Sequence, residues 1–110
     1  MKTLHQIRED LRAIRFYYEK KSDLERGAKH IGEIAVVQLV EKYNAAVRNA
    51  PVRLYDLYAC LYVNNNTQAV VAEDKECSPE YIRRLHKQLC EYLQQTVGKE
   101  VNQNAESFHA

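Results

Sequence analysis

The stretch from residue 67 to residue 89, TQAVVAEDKECSPEYIRRLHKQL, constrains the fold of this chain more than any other. It predicts two helices joined by a short turn. Thr67 suits the N-cap of the first helix, and Ser78 followed by Pro79 is typical of the start of a second. After Pro79 the apolar residues recur at three- and four-residue steps, which predicts one buried stripe. Its members are Ile82, Leu85, Leu89 and Leu93.

The second predicted helix also carries basic side chains that lie away from its apolar stripe. They are Arg83, Arg84 and Lys87. A helix with an apolar back and a basic front, introduced by a short turn, is what reading of the DNA major groove requires. The alternative is an ordinary helical hairpin whose basic residues are only solvated.

The spacing within this stretch fits a helix-turn-helix. Small Ala72 stands where the two helices would cross, and apolar residues that lock them together are Val71, Cys77, Ile82 and Leu85. Two residues depart from the usual pattern. Glu76 replaces the glycine that often adopts a positive φ, and Lys75 replaces a leucine. We therefore expect Lys75 to extend along the helix towards water, or the first helix to end early.

DNA contacts can be predicted residue by residue. Side chains at the start of the second helix and one turn later would face the groove, namely Ser78, Glu80, Tyr81, Arg83, Arg84 and Lys87. Arginine can bond O6 and N7 of guanine, whereas Glu80 either accepts from cytosine N4 or pairs with a neighbouring arginine. Lys87 is expected to contact only the DNA backbone. Thr67 and Gln68, at a helix N-terminus, suit a phosphate contact.

Composition limits the class of protein. The chain has 110 residues, a net charge of +1 and only 3 Gly and 2 Pro, which predicts one helical domain whose nucleic-acid surface is a local patch. No apolar run is long enough to span a membrane. The 3 cysteines lack paired spacing and are expected to be reduced core thiols in the cytoplasm. Without metal-ligand spacing, a phosphate loop or a nucleophile elbow, we expect no metal, no cofactor and no enzyme activity.

The rest of the chain is expected to support the motif. A seam at coiled-coil spacing runs through the first segment, comprising Leu4, Ile7, Leu11, Ile14 and Tyr18. It suits either a hairpin partner in the same chain or a second copy, so we expect a dimer. The segment 22–25, SDLE, fits a capping box that begins a new helix. A third helix is predicted for residues 52–63, ended by three asparagines. Tyrosines within it are expected in the core rather than as base-stacking platforms.

The run 50–93 resembles region four of bacterial sigma factors over about two-fifths of the chain. The resemblance rests on a proline-led third helix ending in Tyr-Val, on Thr67, and on Ser78 with YI at 81–82 and RL at 84–85. With EDLRAIRFYYEKK and KYNAAVRNAPVRLYDLY, the whole chain is similar to small phage regulators of the ArpU and RinA kind. This implies promoter DNA as partner, with RNA polymerase as a further one. No segment resembles the sigma region that melts DNA, so an activator or a packaging component fits better than a full sigma factor.

We therefore expect an all-α domain in which an N-terminal helical hairpin, residues 1–50, packs on a helix-turn-helix region, residues 51–97. A polar, disordered tail is expected for residues 98–110. The expected function is sequence-specific binding of double-stranded DNA in transcription regulation, with helix 79–93 in the major groove. Two alternatives remain: a ring-forming phage small terminase subunit, and a helical protein-interaction module in which the motif serves only packing.

Overall fold

The computed structural model describes the backbone of residues 2–25 and 32–109, and the side chains of residues 2–21 and 35–97. Its helices are α1 Leu4–Glu25, α2 Gly32–Val47, α3 Val52–Tyr58, α4 Gln68–Asp74 and α5 Pro79–His109. A π-helical segment, Ala59–Val63, continues α3. No β-strand occurs in the described backbone, and the predicted all-α fold is confirmed.

The first helix begins with a reciprocal cap and is longer than predicted. Thr3 Oγ1 accepts from the backbone N–H of Gln6 at 3.1 Å, and Gln6 Oε1 accepts from the N–H of Thr3 at 2.9 Å. The helix then continues to Glu25, so the prediction that a new helix begins at residue 22 is wrong. A continuing helix offers carbonyl partners one turn earlier to the N–H groups that a cap would have to satisfy.

The core forms around α5, which supplies buried side chains over about four turns. Its buried residues are Ile82, Leu85, Leu89, Cys90, Leu93 and Val97. Against them α1 packs the middle of its predicted seam, with Ile7, Leu11 and Ile14 at most 1% exposed. The seam therefore packs within its own chain. These three side chains have no free surface to offer a second copy, and the dimer stays a prediction.

The third helix spans residues 52–63 as predicted, but its last turn is widened. The N–H of Asn64 donates to the carbonyl of Ala59 at 2.9 Å, a five-residue step that defines the π-helical segment. Asn65 then adopts φ 59°, in the left-handed region that asparagine tolerates. Its side chain and carbonyl each bond Arg15 of α1 at 3.1 Å. These bonds fix the loop that leads into α4.

The last helix is longer than the sequence predicted. The polar stretch after Val97 was expected to fray from Gly98, but the backbone remains helical as far as His109. Gly98 lowers helix propensity by about 1 kcal/mol relative to alanine and does not by itself end a helix.

Candidate nucleic-acid interface

The predicted helix-turn-helix is present as α4, residues 75–78 and α5. Thr67 caps α4, its Oγ1 accepting from the N–H of Val70 at 3.2 Å. Ser78 caps α5 in the same way, its Oγ accepting from the N–H of Tyr81 at 3.1 Å. Both predicted caps are confirmed. Each hydroxyl still has its own proton to donate, because the cap uses the oxygen as acceptor.

The two helices are locked by the predicted apolar contacts. Val71 and Ala72 of α4 and Ile82 and Leu85 of α5 are buried, and Cys77 in the turn is half-buried. Burial of these side chains fixes the orientation of α5 relative to α4. The orientation of its exposed face is therefore set by the core and not by loop geometry alone.

Glu76 occupies the position where glycine is usual, and its backbone adopts the conformation that glycine would favour. Its φ is 55°, and its N–H donates to the carbonyl of Glu73 at 3.1 Å. The sharp turn predicted from the motif therefore forms with a side chain in place. The strain is local to one residue, since no other residue of the turn has a positive φ.

Lys75 satisfies both expectations that were stated for it. The first helix ends early, at Asp74, with Lys75 as its C-cap. The ammonium lies at the surface and forms an ion pair with Asp56 of α3. The hydrogen bond to Asp56 raises the pKa of Lys75. Because both side chains are well exposed, the pair adds at most about 1 kcal/mol, and its role is to tie the motif to α3.

The predicted basic front of α5 is uncovered. Seven of the eight predicted DNA-contacting residues are exposed, and Gln68 is half-buried. Arg83 Nη2 lies 3.5 Å from Glu80 Oε1, so Glu80 takes the pairing role rather than standing free. Within the described part of the chain, Arg84 and Lys87 form no ion pair. Their charges are available to a partner without breaking an existing contact.

The motif itself has no net charge. Residues 67–87 contain four basic and four acidic side chains, the acidic ones being Glu73, Asp74, Glu76 and Glu80. Three of the four lie at the end of α4 and in the turn, whereas the basic ones other than Lys75 follow along α5. Opposite charges are therefore segregated along the motif, and a polyanion would be repelled by the turn and attracted by α5.

The sequence analysis missed a second basic group, on α1. Arg8, Arg12 and Arg15 recur at steps of four and three residues, which places them on one side of a helix. Their spacing could be read from the sequence. Their nearness to α5 could not, because it depends on how α1 packs.

A part-buried polar contact joins the α3 side of the molecule to α5. Tyr62 Oη lies 2.5 Å from His86 Nε2; Tyr62 is buried and His86 is half-buried. Burial lowers the pKa of His86, and the charge of Arg8 lowers it further. Tyr58 is likewise buried, with its hydroxyl donating to Asn44 Oδ1 at 2.8 Å. Tyr58 and Tyr62 are core residues, as predicted, whereas Tyr55 is half exposed.

Comparison of the chain with protein-family models, with curated proteins and with solved structures gives no match. Among the side chains that the structure describes, no three His, Cys, Asp or Glu residues come together as metal ligands. The described helices include none with the length and apolar character needed to cross a membrane. Cys60, Cys77 and Cys90 are free thiols.

Proposed function

We propose that this protein binds double-stranded DNA in a sequence-specific way, as a transcription regulator of phage or prophage type, with the first three turns of α5 in the major groove. One observation carries the proposal: those turns have a buried apolar back and an uncovered basic front. Ile82, Leu85 and Leu89 anchor the back. A helix held in this way can enter a groove as a rigid probe.

The exposed residues of α5 divide into two roles. Arg84 is the base-reading residue, since an arginine that is not already paired can form two hydrogen bonds to guanine, for about 1–3 kcal/mol of discrimination. Arg83 must first leave Glu80, which weakens its contribution. Lys87 lies about one turn further on and binds phosphate, which fixes the register without reading sequence.

Several parts of the proposal rest on the resemblance to sigma region four and to the ArpU and RinA regulators. These are promoter DNA as target, RNA polymerase as a further partner and the cytoplasm as location. The proposed regulator needs no second copy to present α5. If the protein does form a dimer, the contact lies outside Ile7, Leu11 and Ile14, which are buried within the chain.

Selection of bound duplexes from a random pool tests the proposal most directly. The expected result is an enriched motif that contains guanine at a position whose preference disappears in Arg84→Ala. Wild-type protein should also lose affinity for duplex DNA steeply as salt rises, because bound phosphates release counterions. A pool that returns no motif, with no salt-dependent binding to any duplex, would contradict the proposal.

The same samples separate the alternatives. A small terminase subunit would have the solution mass of a ring, whereas the proposed regulator would be a monomer or a dimer. A protein-interaction module would bind no duplex at any salt concentration. The strongest observation in favour of the interaction module is that residues 67–87 carry no net charge. The salt titration tests this alternative directly.

A further inference from the structure

A row of arginines lies along one flank of α1, next to α5. Arg8 and Arg12 are exposed and Arg15 is half-buried. The opposite flank faces α2 through Asp10, which accepts a hydrogen bond from Tyr43 at 2.6 Å and forms an ion pair with Lys2. The arginine row is on the flank next to the proposed DNA-binding helix.

Contacts between α1 and α5 show where the row lies. Gln94 of α5 donates from Nε2 to the carbonyl of Lys2 at 3.0 Å, which places the start of α1 against α5. Further along, Ile7 and Leu11 of α1 are buried in the same core as the apolar stripe of α5. Burial lowers the pKa of His86 on α5 and the charge of Arg8 lowers it further, which agrees with this placement.

The row is continuous with the basic front of α5 through this contact. Positions 83, 87, 90 and 94 recur at steps of four, three and four residues, so Arg83 and Lys87 lie on the same edge of α5 as Gln94, which contacts Lys2. The combined surface comprises Arg8, Arg12, Arg15, Arg83, Arg84 and Lys87.

Few acidic side chains reduce the charge of this surface. Glu9 pairs with Arg12 at 2.7 Å and Glu80 lies beside Arg83. Glu19 stands one turn beyond Arg15 on α1, and exposed Glu91 stands one turn beyond Lys87 on α5. Four acidic side chains therefore face six basic ones, and the surface keeps a positive charge. Arg15 also gives one hydrogen bond to the carbonyl of Asn65, which holds its charge in place without neutralising it. The whole chain has a net charge of only +1, so this surface concentrates positive charge that is balanced elsewhere.

We propose that Arg8, Arg12 and Arg15 of α1 form a second DNA-contact element, which binds the phosphates flanking the base pairs that α5 reads. This inference rests on the proposed function. It also explains how a motif without net charge binds a polyanion: the phosphate-binding charge is supplied from α1, outside the motif.

The dimensions of the row suit a DNA strand. From residue 8 to residue 15 a helix rises about 10 Å. Phosphates recur along each strand of a duplex, so a row of this length can contact more than one of them. Duplex DNA is the partner that we infer because the row borders the helix that is proposed to read base pairs.

The test measures the salt dependence of duplex binding in variants whose arginines are replaced by uncharged glutamine. Arg8→Gln/Arg12→Gln should lower the slope of log K against log salt by about 1.8, since each lost phosphate contact removes about 0.9. The loss of affinity should be equal for the selected motif and for random duplex. Arg12→Gln alone should lower the slope by about 0.9. It also changes a well-exposed side chain, so it is the variant least able to disturb folding.

The matched control is Lys20→Gln/Lys21→Gln, which removes two exposed positive charges from the same helix outside the row. Its slope should equal that of the wild type. If the two double variants lower the slope equally, the effect is one of total charge and the inference is wrong. If wild type binds duplex with an Arg84-dependent base preference and the row variants keep its slope, the inference fails while the proposed function stands. If wild type binds no duplex, both fail.

Discussion

The backbone N–H of Cys77 donates to the carbonyl oxygen of Ala72 at 2.9 Å, and this hydrogen bond closes the C-terminus of α4. Together with the bond from Glu76 to Glu73 it forms a Schellman motif, with Glu76 at the left-handed position. A residue with a Cβ costs roughly 1–2 kcal/mol in that conformation. The turn of the helix-turn-helix is therefore built with a local strain, next to the buried side chains of Val71 and Ile82.

Replacing Glu76 by glycine should relieve this strain. We expect Glu76→Gly to raise the free energy of unfolding by about 1 kcal/mol, because the gain at φ 55° exceeds the greater backbone entropy that glycine has in the unfolded chain. Urea unfolding measures the change. Glu76→Ala is the control, since it removes the same charge but keeps the Cβ. A similar gain in Glu76→Ala would assign the effect to charge.

Local features of this motif could be predicted from sequence because their causes are local. Thr67 and Ser78 are caps as soon as a helix follows them, since each bonds an N–H only three residues away. The positive φ at Glu76 follows from the geometry of the turn and not from the residue that occupies it. The apolar stripe of α5 predicted its buried face in the same way.

Features that depend on another element could not be predicted. The seam of α1 has a spacing that suits any apolar partner, and the sequence contains nothing to distinguish α5 from a second copy of α1. The pairing of Lys75 with Asp56 spans 19 residues and requires α3 to be in place. The nearness of the α1 arginines to His86 arises in the same way, from the packing of two helices far apart in sequence.

Substitution of Ser78 separates helix capping from contact with DNA. Ser78→Ala should lower the free energy of unfolding by about 1 kcal/mol, because the N–H of Tyr81 loses its acceptor. Ser78→Asp should keep that stability, since aspartate is an equally good cap. It should weaken duplex binding, because it places a negative charge at the end of α5 that is proposed to face the groove. Unfolding and binding are measured on the same samples. Unchanged DNA affinity in Ser78→Asp would place Ser78 outside the interface.

The part-buried pair of Tyr62 and His86 predicts a loss of stability in acid. The pKa of His86 is lowered in the folded protein by burial and by Arg8, so the unfolded chain takes up a proton more readily. Above the ordinary histidine pKa near 6.5, His86 is neutral in both states and costs no stability. As the pH drops below that value, the unfolded chain takes up the proton first, so the free energy of unfolding falls. Urea unfolding at about pH 7.5 and about pH 5.5 measures the difference.

His86→Gln should reduce this difference between the two pH values, since glutamine does not titrate. His5→Gln is the matched control, because it removes a histidine that is exposed on α1, and the difference should be smaller in His86→Gln than in His5→Gln. A His86→Gln variant whose loss of stability between the two pH values equals that of the wild type would show that other groups carry the acid sensitivity.

Alanine substitutions of Arg84 and of Lys87 are expected to affect DNA binding in different ways. Arg84→Ala should lower affinity for the selected motif by about 1–3 kcal/mol, while binding to random duplex changes little, because the lost bonds are to a base. Lys87→Ala should weaken binding to all sequences alike and lower the salt slope by about 0.9, because the lost contact is to phosphate. Gln95→Ala, an exposed and uncharged position two to three turns further along α5, should change neither quantity. Equal, sequence-independent losses in Arg84→Ala and Lys87→Ala would mean that α5 attracts DNA without reading it.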